Sequence, residues 1–382
     1  MILSRTPFRI SFFGGGTDYP GWYRQHGGAV LSTTIDKYCY LSVRYLPPFF
    51  DYRYRVVWSK VENRRRLEEI EHPVVRCLIG HLGIDRGVEV HHVGDLPARS
   101  GMGSSSAFTV GLLHALHALE GRMVGKQELL HQALFVEQEL LRETVGSQDQ
   151  AAAAHGGFNR ITFAPTGEVA VTPVLLRPGR AAELDDHLML FYTGIARTAA
   201  TVAQSYVADL PQKRRHLRIL RDLVDESIEL LASERSIAEF GLLLDEAWHS
   251  KKSLGAGISN DAVDTLYARA KAAGALGGKL TGAGGGGFLL LFVPPAQQAA
   301  VREALPELVH VPFRFENSGS QIIFYDREQD FAPAEAERRG RAIAAFRELG
   351  EPLAGDEPPA EPVDFTIPYP ETVGAGAAPK PS

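Results

Sequence analysis

The segment DLPARSGMGSSSAFTVGLLHAL, Asp95 to Leu116, runs a glycine- and serine-rich loop straight into an amphipathic helix. Backbone N–H groups at a helix start have no partner within the helix, and small side chains let an anion approach them, so the pattern reads as a phosphate cradle that needs no lysine. A capped helix after an ordinary loop would leave the same trace. The cradle is not a Walker A loop, because GxxxxGK[ST] occurs nowhere in the chain, and GMGSSS lacks the third glycine of the dinucleotide fingerprint.

Two more glycine-rich segments lie at either side of it. In PFRISFFGGGTDY, Pro7 to Tyr19, three glycines follow an apolar strand and let the backbone turn sharply, with Thr17, Asp18 and Tyr19 presented right behind them. In GGKLTGAGGGGFLLLFVP, Gly277 to Pro294, the glycines at 282, 284 and 287 match GxGxxG, but an apolar strand follows where a dinucleotide fold requires a helix. A dehydrogenase is excluded, and the segment reads as a backbone wall closing against another loop. Between these segments Glu137 falls on a helix expected over Lys126–Arg142. Asp149 precedes a run of alanines, at a helix start where the dipole favours negative charge. Such a carboxylate can orient a hydroxyl or hold a metal; Glu139 and Glu143 are alternatives, and any of the four could be a solvated helix-face acid. His91, His92, His114 and His117 lack the companions of a zinc site. GxSxG, HRD and DFG are all missing, which removes the carriers of hydrolase and protein-kinase chemistry.

The surrounding chain is that of a globular protein with two, at most three, domains: 382 residues, 45% hydrophobic and 23% charged. The net charge of -6 provides no basic footprint for nucleic acid. Residues 351–382 hold six acids against one base and eight of the 23 prolines, so they are expected to be a disordered tail. Cys39 and Cys77 form neither a disulfide framework nor a thiolate metal site, which fits a reducing cytoplasm. No apolar run approaches the ~20 residues of a membrane span, so neither a signal peptide nor an anchor is expected. β-branched and aromatic runs over residues 1–60 predict antiparallel strands, and helical periodicity follows over Pro73–Leu82, Ser105–Leu119 and Lys126–Arg142. Three or four helices are expected between Thr198 and Ala273, then strands at FLLLFV, VHVPFRF and SQIIFY around a further helix. The expected domains are 1–185 and 186–330, followed by a terminal helix over 331–350.

Taken in this order, the three glycine-rich segments resemble the GHMP kinase family. PFRISFFGGGTDY resembles the galactokinase sugar-binding segment, with Arg9, Thr17, Asp18 and Tyr19 in matching places. PARSGMGSSSA resembles the family phosphate loop P-x3-G-L-G-S-S-A with Met102 at the Leu position, and KLTGAGGGG the third motif. The resemblance covers residues 1 to about 325. It implies an α+β fold of two domains: an N-terminal one like domain 2 of ribosomal protein S5, and a ferredoxin-like C-terminal one. It implies ATP and Mg²⁺ as cofactors and a small sugar phosphate as substrate, with neither nucleic acid nor membrane as partner; a homodimer is compatible with it. Carried over by position, Asp149 and Arg9 would be catalytic. Ser105 and Glu137 would hold the metal. Pro97, Gly101, Gly103, Ser104, Ser105, Ser106, Gly282, Gly284 and Gly285 would hold ATP. Gly15, Gly16, Thr17, Asp18, Arg197 and Lys279 would hold the sugar. The chain departs from galactokinase at GGGTDY, where that enzyme has Glu and His before the Thr, and this argues against galactose.

A narrower resemblance, to the heptose 7-phosphate kinase branch, rests on GGGTDYPGWY, VGSQDQAAAAHGGFNRITF, LFYTGIAR and ISNDAVDTLY. A sugar already phosphorylated at its far end needs a second anion site, for which Arg197, Lys251, Lys252 and Lys279 are the available bases. Another sugar 1-kinase, a decarboxylase of the same fold and a catalytically silent sugar sensor are the competing readings.

Overall fold

Strand β1, Ile2–Phe13, is buried at every position from Thr6 onward because it runs through a sheet with a strand on either side. The computed structural model describes residues 1–47, 49–195, 213–255, 257–326, 331, 333, 336 and 337. Beside β1 lies β2, Gly28–Tyr45, one strand of 18 residues. It runs on because its halves serve different neighbours. Residues 39–45 pair with β5 (Val88–Gly94), and residues 28–32 with β6 (Asn159–Phe163). The β1–β2 register slips between Pro7 and Arg9 and again between Ser11 and Phe13. Such irregularities re-aim side chains, and the residues between the two slips include Arg9 and Ser11. With β3 (Tyr54–Val57), β4 (Val61–Arg64) and β7 (Val169–Pro173), and with two strands from much later in the chain, this makes a sheet of nine strands among the described residues.

Helices cover one face of that sheet. Helix α1, Pro20–His26, closes the turn between β1 and β2, and α2, Pro73–His81, precedes β5. Helix α3, Ser104–Leu119, packs on β1 and β2, and Gly111 lets its backbone come so close that Ser4 Oγ donates to the Gly111 carbonyl at 2.9 Å. Helices α4, Lys126–Leu134, and α5, Gln148–His155, pack against α3 in turn. The helix expected over Lys126–Arg142 stops being an α-helix at Leu134 and continues as a π-helical turn, Phe135–Leu140. Turns of this kind cluster at functional sites, and this one carries Glu137.

After α6, Arg180–Asp186, the chain enters a second, antiparallel sheet of β8 (Leu188–Tyr192), β9 (Gly277–Leu280), β10 (Phe288–Phe292) and β11 (Val309–His310). Its order is β11-β8-β10-β9, so that in chain order the fourth strand lies beside the first and the third beside the second. Helices α7 (Arg214–Ala232), α8 (Ala238–Lys252) and α9 (Asp261–Ala272) lie between β8 and β9, and α10 (Gln298–Ala304) lies between β10 and β11. That is the ferredoxin-like βαββαβ arrangement. The expected 186–330 domain does not hold together as one sheet. Its last two strands, β12 (Phe315–Glu316) and β13 (Gln321–Tyr325), return to the first sheet and pair with β2 and β1. Local periodicity shows that a segment is a strand but not which edge it completes.

The described residues belong to one compact unit, Met1–Ala342. Of the expected terminal helix, residues 333, 336 and 337 are described as helical, and the expected tail 351–382 lies outside the described residues. None of the described helices is long and apolar enough to cross a membrane.

Candidate active site

The three glycine-rich segments meet around one ion pair, its arginine buried and its aspartate partly exposed. Arg9 Nε donates to Asp149 Oδ1 at 2.7 Å and Nη2 to Oδ2 at 2.8 Å, while Nη1 donates to the Gly101 carbonyl at 2.8 Å. One guanidinium therefore fixes both the carboxylate and the phosphate loop, a bidentate geometry that specifies orientation as well as charge. The Arg9 side chain is 4% exposed and that of Asp149 27%, so the carboxylate keeps a face open to a ligand. Gly103 caps α3 with φ +74°, and a Cβ there would lie 3.2 Å from Arg9 Cγ and 3.5 Å from Asp149. Only glycine lets the loop cross over this pair. No side chain caps α3, which leaves its first-turn N–H groups for an anion. Gly101, Gly103, Ser104, Ser105 and Ser106 thus line the start of α3, with Pro97 one turn earlier accepting from Ser100 Oγ at 2.6 Å.

The third segment is the wall that its pattern predicts. A Cβ on Gly282 would lie 2.5 Å from Gly101 Cα, and one on Gly287 2.2 Å from the Ser100 carbonyl. Gly284 and Gly285 secure the other side of the wall: a Cβ at Gly284 would strike the Ile258 carbonyl at 2.6 Å, and Gly285 N–H donates to the same carbonyl at 2.9 Å.

Asp18 is 1% exposed. Its Oδ1 accepts from Gly16 N at 2.9 Å and its Oδ2 from Gln148 Nε2 at 2.8 Å. Burial raises its pKa above the usual carboxylate value and the Asp149 charge adds to the rise, while the Gly16 and Gln148 hydrogen bonds oppose it. Gln148 thereby ties the acid behind the first glycine turn to the residue next to Asp149. Its own Oε1 is buried without a partner among the described residues, as is Ser11 Oγ. The Gln148 amide nitrogen and Ser11 Oγ lie 3.9 and 4.0 Å from where a Gly15 Cβ would be, so both side chains border that residue. Unsatisfied buried oxygens around a residue with no side chain mark a place for hydroxyl donors. Ser11 and Gln148 were not anticipated, because neither residue type stands out until the loops are brought together.

Two residues expected to touch the sugar do something else. Thr17 is fully buried, with its hydroxyl donating to the Gly14 and Ala29 carbonyls at 2.8 and 3.0 Å and accepting from Ala29 N at 3.2 Å. It fastens the turn, its one hydrogen shared between those two carbonyls and so committed away from a ligand. Lys279 is 4% exposed and donates to the Ser11 and Phe12 carbonyls at 2.8 Å each, and burial holds it well below the ordinary lysine range. Arg197 lies outside the described residues.

Glu137 is fully buried. Its Oε2 accepts from Ser106 Oγ at 3.0 Å and Gln150 Nε2 at 2.5 Å, while Oε1 has no partner among the described residues. Burial pushes its pKa up to about 7. The Ser106 hydroxyl bonds it directly, and the Thr109 hydroxyl also favours its charge. Ser105, expected as its partner, is exposed, since successive helical residues point about 100° apart. A buried carboxylate with an orphaned oxygen beside the anion cradle suits Mg²⁺, which takes one or two protein oxygens and completes its shell with phosphate and water. No cluster of three or more acidic, His or Cys ligands occurs among the described residues, so a closed protein cage is not what these residues offer.

Comparison with known proteins agrees with this geometry. The model of the GHMP kinases N-terminal domain matches residues 69–157, which contain the phosphate loop, Glu137 and Asp149. That of the GHMP kinases C-terminal domain matches residues 227–311, which contain the glycine wall. The chain is 29% identical over 316 residues to a D-glycero-α-D-manno-heptose 7-phosphate kinase of Campylobacter jejuni, covering 80% of this chain and 93% of that protein. It is 27% identical over 342 residues to an L-fucokinase/L-fucose-1-P guanylyltransferase of Bacteroides fragilis, of which it spans 35%. A crystal structure described as a D-glycero-D-manno-heptose 1-phosphate kinase from Bacteroides thetaiotaomicron superposes with a TM-score of 0.71 at 24% identity, over 85% of this chain and all of that one. Both domain models match in order and the residues they cover converge on one site, so the chain carries the N-terminal and C-terminal domains of the GHMP kinases.

Proposed function

We propose that this kinase transfers the γ-phosphoryl group of ATP to the anomeric C1 hydroxyl of D-glycero-D-manno-heptose 7-phosphate, giving the 1,7-bisphosphate, a step toward GDP-heptose. The observation that carries the reading is the Arg9 clamp, which holds Asp149 through both oxygens and the phosphate loop through the Gly101 carbonyl. It sets an acceptor-orienting carboxylate beside the anion cradle. The sugar sits over Gly15 and Gly16, with hydroxyls donating to Asp18, Gln148 Oε1 and Ser11 Oγ. Its O1 hydroxyl faces Asp149, whose oxygens each keep a lone pair beyond the Arg9 bond.

In the transfer, O1 forms a bond to the γ-phosphorus, the O1 proton passes to Asp149, and the bond from phosphorus to the bridging oxygen breaks, its electron pair leaving with ADP. Positioning and charge stabilisation do most of the catalysis in such reactions. Arg9 offsets charge developing on the transferring group. Glu137, with a hydroxyl from Ser105 or Ser106, would hold Mg²⁺, which when bound neutralises charge on the ATP phosphates.

The heptose assignment draws on the Campylobacter relative, and a fucose-type substrate is the competing reading because of the Bacteroides fragilis relative. The test is ADP release from MgATP against heptose 7-phosphate, mannose 6-phosphate, fucose and galactose, with the phosphorylated carbon located by NMR. Turnover on heptose 7-phosphate at C1, lost in Asp149→Asn with sugar binding retained, supports the proposal. Preference for fucose replaces the substrate, and phosphate release with CO₂ from an acid substrate replaces the reaction.

A further inference from the structure

Lys251 lies in the last turn of α8, 6% exposed, and its ammonium donates to the Gly282 carbonyl. Among the described residues that carbonyl is its hydrogen-bond partner, whereas an ammonium has three donors. The charges acting on it come from other elements: Arg9 on β1, Asp18 in the turn after β1 and Asp149 in α5, with Lys279 on β9 as a further neighbour. Three buried basic groups thus share a site with two acids. Their commitments differ. Arg9 commits three of its five donors to Asp149 and Gly101, Lys279 two of its three to β1 carbonyls, and Lys251 one of its three to Gly282. Lys251 retains donors.

Its placement says where those donors are useful. Arg9 holds the carbonyl of Gly101 and Lys251 that of Gly282, and these are the two residues at which the phosphate loop and the glycine wall touch. Two cations from different domains therefore flank one seam, beside the carboxylate that orients the acceptor. Buried lysines are rare unless paired, and an anionic ligand is the partner this one lacks. We infer that Lys251 binds a phosphoryl group of the reacting substrates, either the one in transfer or the one already on the sugar. The inference rests on the phosphotransfer reading above. Neighbouring Lys252 supplies a control, since it bonds Asp264 at 3.1 Å and lies over the Trp248 ring, away from the seam.

The test compares Lys251→Met, Lys251→Arg and Lys252→Met by steady-state kinetics with MgATP, using heptose 7-phosphate and unphosphorylated heptose. Lys251→Met is expected to lose roughly ten- to a hundredfold in kcat/KM, the size of a charged hydrogen bond, while Lys251→Arg keeps most activity and Lys252→Met all of it. Loss on both sugars assigns the transferring group, and loss on the phosphorylated sugar alone assigns the sugar phosphate.

Burial and the Arg9 charge lower Lys251 to about 8, partly opposed by Asp18 and Asp149. Its charge is present below that pH and lost above it, so wild-type kcat/KM should fall as pH rises through about 8. In Lys251→Arg that limb should vanish, although Arg9, Asp18, Asp149 and Lys279 all remain. Wild-type kinetics in Lys251→Met overturn the inference. So does equal damage in both Lys251 variants with the alkaline limb unmoved, which marks a packing role. Should Lys251→Met fail to fold, Lys251→Arg and the pH profile decide. If the wild type turns over no sugar, the phosphotransfer reading fails and calorimetry with inorganic phosphate still tests Lys251: binding lost in Lys251→Met upholds the anion site, and equal binding overturns it.

Discussion

Gly146→Ala should act on the sugar site through Asp18. A Cβ built on Gly146 would lie 1.9 Å from Asp18 Oδ2, 2.7 Å from Cγ and 3.4 Å from Oδ1, and these are its three nearest neighbours. The backbone at 146 is not in the left-handed region, so alanine costs nothing there by itself. The carboxylate has to leave, and leaving means giving up the bonds from Gly16 N at 2.9 Å and Gln148 Nε2 at 2.8 Å. At ~1.5–3 kcal/mol for each charged hydrogen bond, losing both removes about 3 kcal/mol or more, a factor above ~100 in the population of the site-competent arrangement. KM for the sugar should therefore rise at least thirtyfold or so, with KM for ATP changing less than about threefold. Initial-rate kinetics on Gly146→Ala, Asp18→Ala and the double variant isolate the contact. With Asp18 already truncated, the added methyl group should cost almost nothing. A full Gly146→Ala penalty in the Asp18→Ala background, or an unchanged sugar KM in the single variant, would refute the reasoning.

Glu137 makes the metal-free protein lose stability as pH rises. Its folded value of about 7 lies above the ordinary 4.5, so the folded state holds a proton that the unfolded state has released. The contribution is whole below about pH 4.5 and lost by about pH 7, some ~3 kcal/mol at ~1.4 kcal/mol for each pH unit between the two values. Urea denaturation in EDTA at pH 5 and 8 should show this loss in wild type and not in Glu137→Gln; equal slopes in the two proteins would remove Glu137 as its source. Thr17→Val should cost about 2–3 kcal/mol in the same assay by stranding the Gly14 and Ala29 groups, with sugar KM unchanged. A raised KM at undiminished stability would return Thr17 to the substrate.

What could be read in advance was whatever the backbone itself requires. Gly101, Gly103, Gly282 and Gly284 announce themselves because positive φ and close approach admit no other residue, and Asp149 because an acid before an alanine run marks a helix start. Helical phase was less readable: Ser105 and Ser106 are adjacent letters, and only the packing of α3 on its neighbours shows which one turns toward Glu137. The π-helical turn that carries Glu137 has no periodicity of its own to betray it. Thr17 and Lys279 have the residue types of ligand contacts, yet their polar atoms are consumed by carbonyls of β1 and its surroundings, partners brought close by tertiary structure alone. Lys251 and Lys252 illustrate the same limit, one buried against the glycine wall and the other on the surface of the same helix turn. The return of β12 and β13 to the first sheet is a long-range choice that no local pattern records.

That return has a consequence for how the protein is made. Strand β1 acquires its second neighbour only when Gln321–Tyr325 arrives, and Met1 then sits beside Asp326, exchanging backbone hydrogen bonds with it. At ~5–20 residues per second, the ribosome leaves that edge waiting roughly 15–60 s while the entire second sheet is synthesised. During that interval the Ile2–Arg5 edge of β1 offers unpaired backbone to any other nascent chain, the circumstance in which sheets join wrongly. The proximity of Met1 and Asp326 also offers a remedy, since a circular permutant that omits residues 327–382, joins Asp326 to Met1 and opens the chain elsewhere would translate the two partners in succession.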